Sequence, residues 1–94
     1  MLKMTSYAMK YECKLPNDGS HDQGVTLELP SDITLLVEIE NNPEDSRYFQ
    51  RTKVYRLSNG KELIVIEEVW SDSRILRFNY PFNKKGDTLV FNFD

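Results

Sequence analysis

Apolar side chains recur at every second position through most of the chain. In the segment 6–15, Tyr7, Met9, Tyr11, Cys13 and Leu15 alternate with Ser6, Ala8, Lys10, Glu12 and Lys14. That is the period of a half-buried strand. Met4, Tyr7, Ala8, Tyr11 and Leu15 also fit a helical stripe, and no β-branched residue follows Thr5, so a helix is the rival; Met9 and Cys13 favour the strand. The runs VTLEL and ITLLVEIE alternate cleanly around a short PSD break. A short helix beginning at Ser31 is the competing reading there, opposed by the β-branched Ile33, Thr34, Val37 and Ile39.

The strongest local signal is VYRLSNGKELIVI, where Asn59-Gly60 separates two alternating runs. Both residues tolerate positive φ, so the spacing predicts a two-residue type I′ hairpin. That turn would set Tyr55 opposite Ile64, Lys53 opposite Ile66, Arg51 opposite Glu68 and Phe49 opposite Trp70. Directly opposed residues share a side of the sheet. A second two-residue turn at Asp72-Ser73 would extend the Arg51–Glu68 pair to Arg77, making a charged row across three strands. The expected outer face therefore carries Phe49, Arg51, Lys53, Tyr55, Trp70 and Arg77, and the opposite face, with Val54, Leu63, Val65, Val69, Leu76 and Phe78, is the expected core. The Asp72-Ser73 turn is the less certain of the two; a three-residue turn would shift every pair by one and dissolve the row.

Glycine and proline fall between these segments. Gly19, Gly24, Gly60 and Gly86 sit in polar clusters, and Pro16, Pro30, Pro43 and Pro81 at the ends of apolar runs, as expected of residues that weaken or interrupt a ladder. Gly86 is placed for the left-handed position of a bulged hairpin. The pattern predicts one all-β domain over residues 1–94, with about seven antiparallel strands in an up-and-down meander: a curled sheet, a small barrel or a two-layer sandwich.

Charge adds an asymmetry. Residues 1–46 hold three Lys, no Arg and nine acids, a balance of −6; residues 47–94 hold four Lys, five Arg and six acids, a balance of +3, and the two sum to −3. The halves either neutralise each other by packing or present regions of opposite sign to different partners. The lone cysteine, Cys13, excludes an intrachain disulfide and fits a reducing, cytoplasmic compartment. It lies on the apolar side of its segment, which predicts a buried thiol. The opening residues lack the apolar run of a signal peptide, and the longest apolar run, Leu63 to Ile66, is too short to span a bilayer. No membrane association is expected.

Catalytic and metal chemistry lack their usual residues. One His and one Cys supply no metal-binding cluster, and the stretch NDGSHDQG lacks the spacing of a calcium loop. His21 is the only base of neutral pH, and it sits in a loop. Glu67 and Glu68 are neighbours on a strand and point to opposite sides. Neither enzyme activity, nor a metal, nor a cofactor is expected. The composition favours a non-enzymatic interaction protein, an accessory, inhibitor or assembly subunit, binding another protein or itself as a homodimer. The contact face would be Phe49, Arg51, Lys53, Tyr55, Trp70 and Arg77, since Tyr, Trp and Arg dominate interface energetics. The alternative is a single-strand nucleic-acid binder of oligonucleotide-fold type, using rings for stacking and cations for phosphate, against which the net negative charge weighs. A small-ligand carrier with its site at the mouth of a barrel is a third reading.

Overall fold

The computed structural model of the chain describes residues 9–16, 25–41, 48–71 and 73–94. Among them the period-two segments are strands, and no residue is helical. There are eight: β1 (Tyr11–Pro16), β2 (Thr26–Glu28), β3 (Thr34–Asn41), β4 (Phe49–Arg56), β5 (Glu62–Val69), β6 (Ser73–Phe78), β7 (Phe82–Lys85) and β8 (Thr88–Phe91). The helical alternative fails over 11–16, where Cys13 and the half-buried Tyr11 and Leu15 share the core side. It also fails after Ser31, where a turn closed by Ile33 N donating to Pro30 O leads into β3. The part of the first segment before Met9, with Gly19, Gly24 and Pro43, lies outside the described residues. Gly60, Gly86, Pro30 and Pro81 fall between strands, and Pro16 is the last residue of an edge strand, where a missing donor is tolerated.

The strands form two sheets, one ordered β1-β6-β5-β4-β3 and the other β2-β8-β7. Neither closes into a barrel; the protein is a small all-β domain of packed sheets. Consecutive strands β3 to β6 form the expected antiparallel meander. The ends of the chain depart from it. β1 returns to pair with β6, and β2 runs parallel to β8, with Leu27 opposite Leu89. Both pairings join segments far apart in sequence, and local alternation carries no record of which edge a strand will take.

The two hairpins exchange their expected turn types. At Asn59-Gly60 the loop has three residues. Gly60 N donates to Leu57 O (2.9 Å) and Leu57 N to Lys61 O (2.8 Å). Gly60 has φ +87°. This is a turn followed by a left-handed bulge residue, which requires positive φ at one position where a type I′ turn requires it at two. Asn59 Oδ1 accepts from Lys61 N at 2.8 Å and secures the loop. At the second hairpin Lys85 pairs with Thr88, so only Gly86, at φ +60°, and Asp87 intervene.

The longer loop moves the β4–β5 register by one. Tyr55 lies opposite Leu63, Lys53 opposite Val65, Arg51 opposite Glu67 and Phe49 opposite Val69. The expected Asp72-Ser73 turn is also displaced: Trp70 N donates to Ser73 O, and Glu68 lies opposite Ile75. That second displacement is by two residues, so it leaves every side chain on its face. The shift of one does not.

The face between the sheets gathers Cys13, Leu63, Val65, Leu76 and Phe78 from the larger sheet and Leu89 from the smaller. Leu63, Phe78 and Leu89 are fully buried; side chains of this size contribute roughly 1.5–3 kcal/mol each. Phe78 meets Phe82 and Phe91 edge-to-face at 5.3 and 4.8 Å. Leu63, Val65, Leu76 and Phe78 match the expected core, whereas Val54 is buried on the other side of the sheet, beside Ile64.

Candidate functional site

The register decides which of Phe49, Arg51, Lys53, Tyr55, Trp70 and Arg77 lie together. Odd residues of β4 share a face with odd residues of β5, so Phe49, Arg51, Lys53 and Tyr55 lie on the inner face with Leu63, Val65 and Glu67. Trp70 and Arg77 lie on the outer face, with Tyr48, Ile66 and Glu68. The six do not form one surface, and the row Arg51–Glu68–Arg77 does not exist. Glu68 and Arg77 remain partners, while Arg51 takes Glu67.

Two ion rows replace the expected one. On the inner face Glu40 (3.3 Å) and Glu67 (3.4 Å) flank Arg51, with Glu38 at 3.9 Å, and Arg74 holds the other oxygen of Glu67 at 2.6 Å. The Arg51 guanidinium lies 4.9 Å from the centre of the Phe49 ring, in cation–π range. On the outer face Arg77 binds Glu68 and reaches Glu12 at 3.9 Å. The Tyr48 hydroxyl donates to Glu68 at 3.4 Å, and its ring meets Trp70 at 4.5 Å. Burial, then the negative charge of Glu68 and the hydrogen bond to it, raise the Tyr48 pKa; Arg77 opposes them.

Beside the inner row, a cleft of about 200 Å³ opens between the sheets. Val25 and Leu27 wall it from the smaller sheet, and Tyr55, Val65 and Leu76 from the larger. Its polar side is Arg51, Lys53, Glu67 and Arg74. Arg51 and Lys53, singled out for an outer contact surface, therefore face a cavity. Glu67, Arg74, Val25 and Leu27 were outside the expected set. The three-residue Asn59-Gly60 loop puts Glu67 and Arg74 on the Arg51 side, which the two-residue expectation does not; the approach of Val25 and Leu27 depends on the β2–β8 pairing, for which there is no local signal.

The larger sheet has one open edge of a different character. All eight residues of β3 are exposed. Leu35, Leu36, Val37 and Ile39 are 37–53% exposed, and Trp70 on the outer face 44%. A bulge at Leu36 shifts the pairing between Leu35 and Val37.

His21, Asp18 and Asp22 lie outside the described residues; among the described residues no three His, Cys, Asp or Glu side chains gather as a metal site, and no helix is long and apolar enough to cross a membrane. The chain matches no protein-family model, no curated protein and no solved structure.

Proposed function

We propose that this is a non-enzymatic cytoplasmic protein that works by binding another protein, a second copy of itself in a homodimer or a foreign chain, through strand addition at β3. One observation carries the reading: an eight-residue edge strand is exposed along its whole length and bears four large aliphatic side chains. A free edge offers unpaired N–H and C=O groups to an incoming strand, and exposed alternate side chains give that strand something to grip. The aromatic and arginine face expected from the sequence is replaced by this edge. The cytoplasmic assignment rests on the single unpaired thiol, Cys13, which is buried.

The nucleic-acid alternative loses support from the ion rows. Arg51, Arg74 and Arg77 all hold glutamates, leaving fewer free cations for phosphate. Size exclusion with light scattering tests the homodimer. Wild type at about 100 μM, well above a micromolar Kd, is expected to run as a dimer, and Ile39→Lys, a charge on the exposed edge, as a monomer. A monomeric wild type removes the homodimer and leaves a foreign strand. Absence of any protein crosslinked to a photoreactive residue at position 39 in host extract would then remove the reading altogether.

A further inference from the structure

We infer that the cleft between the sheets is a binding site for a small organic carboxylate with a compact apolar body. This stands independently of the strand-addition reading. Three observations converge on it. The first is shape and lining. A cavity near 150 Å³ accommodates a benzene ring, so about 200 Å³ holds a ring or branched aliphatic group with one carboxylate. Val25, Leu27, Val65 and Leu76 supply apolar contact for that body.

The second is charge. Arg51, Lys53 and Arg74 line the cleft against a single carboxylate, Glu67. Glu67 is held between the two guanidiniums, and Glu38 and Glu40 take the outward side of Arg51. Lys53 is different. Its cross-strand neighbour is Glu38, yet Lys53 makes no ion pair among the described residues. A half-buried lysine without an ion partner, on a wall whose other charges are paired, has capacity for one anion.

The third is spacing. Arg51 and Lys53 are two positions apart on one strand face, about 6.6 Å at the backbone. Their long side chains can converge on the two oxygens of one carboxylate while the apolar body lies against Val25 and Leu27.

The test is titration of ¹⁵N-labelled protein with benzoate, followed by amide chemical shifts. Benzoate at up to about 10 mM should give saturable shifts at Leu27, Lys53 and Val65, with a Kd of about 1 mM or tighter. Benzamide, the same shape without the charge, should bind about tenfold or more weakly. Lys53→Gln should lose about tenfold or more in benzoate affinity while Lys53→Arg retains it. No saturable shift with benzoate, equal binding of benzamide and benzoate, or an unchanged affinity in Lys53→Gln would each overturn the assignment. Amide spectra of both Lys53 variants report whether each is folded, so a loss of binding is read only against a native spectrum.

Discussion

The two edges of the larger sheet have been treated in opposite ways. β1 is six residues long, and its apolar side is drawn into the core: Cys13 is 7% exposed, with Tyr11 and Leu15 packed against the same cluster. Its outward residues are Glu12 and Lys14, and it ends at Pro16. Charge, brevity and a terminal proline are devices that discourage further pairing. β3 has none of the last two. It is eight residues long, contains no proline, and exposes Leu35, Leu36, Val37 and Ile39. Both strands alternate in sequence, β3 with one break at the Leu36 bulge, so alternation identifies a strand without telling whether its apolar side will be covered. The smaller sheet lies over the core that β1 joins and leaves β3 outside it.

The largest effect should come from placing one charge on each edge. Cys13→Asp puts a carboxylate among Leu63, Leu76 and Phe78 and should cost about 3 kcal/mol or more. Ile39→Asp, at a position 53% exposed, should change stability by no more than about 0.5 kcal/mol. Urea midpoints taken at protein concentrations far below those at which a dimer forms measure both. Comparable losses would mean that β3 is as much a part of the folded core as β1, and the contrast between the edges would fail.

A smaller effect is expected at the turn that sets where β4, and with it β3, sits against the core. Gly60 has φ +87°, and a Cβ built there meets no atom within 4 Å. The cost of Gly60→Val is therefore conformational rather than steric crowding, about 1–2 kcal/mol, and Gly60→Asn should recover much of it. An undiminished urea midpoint in Gly60→Val would show that the loop can change type without loss. The register, and the division of the charged residues into two rows, would then have to be enforced by the core alone.

That turn also marks the limit of what the sequence conveys. Seven of the strands, the buried Cys13 and the hairpin itself were legible, because period-two alternation and the placement of Gly and Pro report local geometry directly; β7 was not, since the polar run 83–85 reads as loop. The loop length was not, since Asn-Gly serves a two-residue turn and can equally end a three-residue one, and the choice moves every side chain of β4 relative to β5. Phe49, Arg51, Lys53 and Tyr55 were correctly grouped on one side of their own strand. They were joined to the wrong side of the next, so Trp70 and Arg77 were added to a face they do not share. The cleft was hidden for a different reason. Its walls come from β2, β4, β5 and β6, and the parallel β2–β8 pairing that brings Val25 and Leu27 over the larger sheet is a long-range choice.

The smallest expected effect separates the two ion rows, each of which reaches one edge. The inner row reaches β3 through Glu40, and the outer row reaches β1 through Glu12. Tyr48 belongs to the outer row, donating to Glu68 beside Arg77. Its pKa is raised above the ordinary 10.0, first by burial and then by Glu68. The folded state therefore holds the phenolic proton more tightly than the unfolded chain does. Over the interval between the two pKa values the native state binds more protons, so stability falls as pH rises. The contribution is complete below pH 10.0 and is lost as pH climbs through the higher folded value. Tyr48→Phe removes the titrating group, so its stability should decline less steeply than wild type above pH 10.0, with parallel curves below it. Urea unfolding at several alkaline pH values reads the difference in slope. Curves that stay parallel throughout would mean that Tyr48 titrates alike in the folded and unfolded chain, and that its contact with Glu68 does not tie the outer row to the fold.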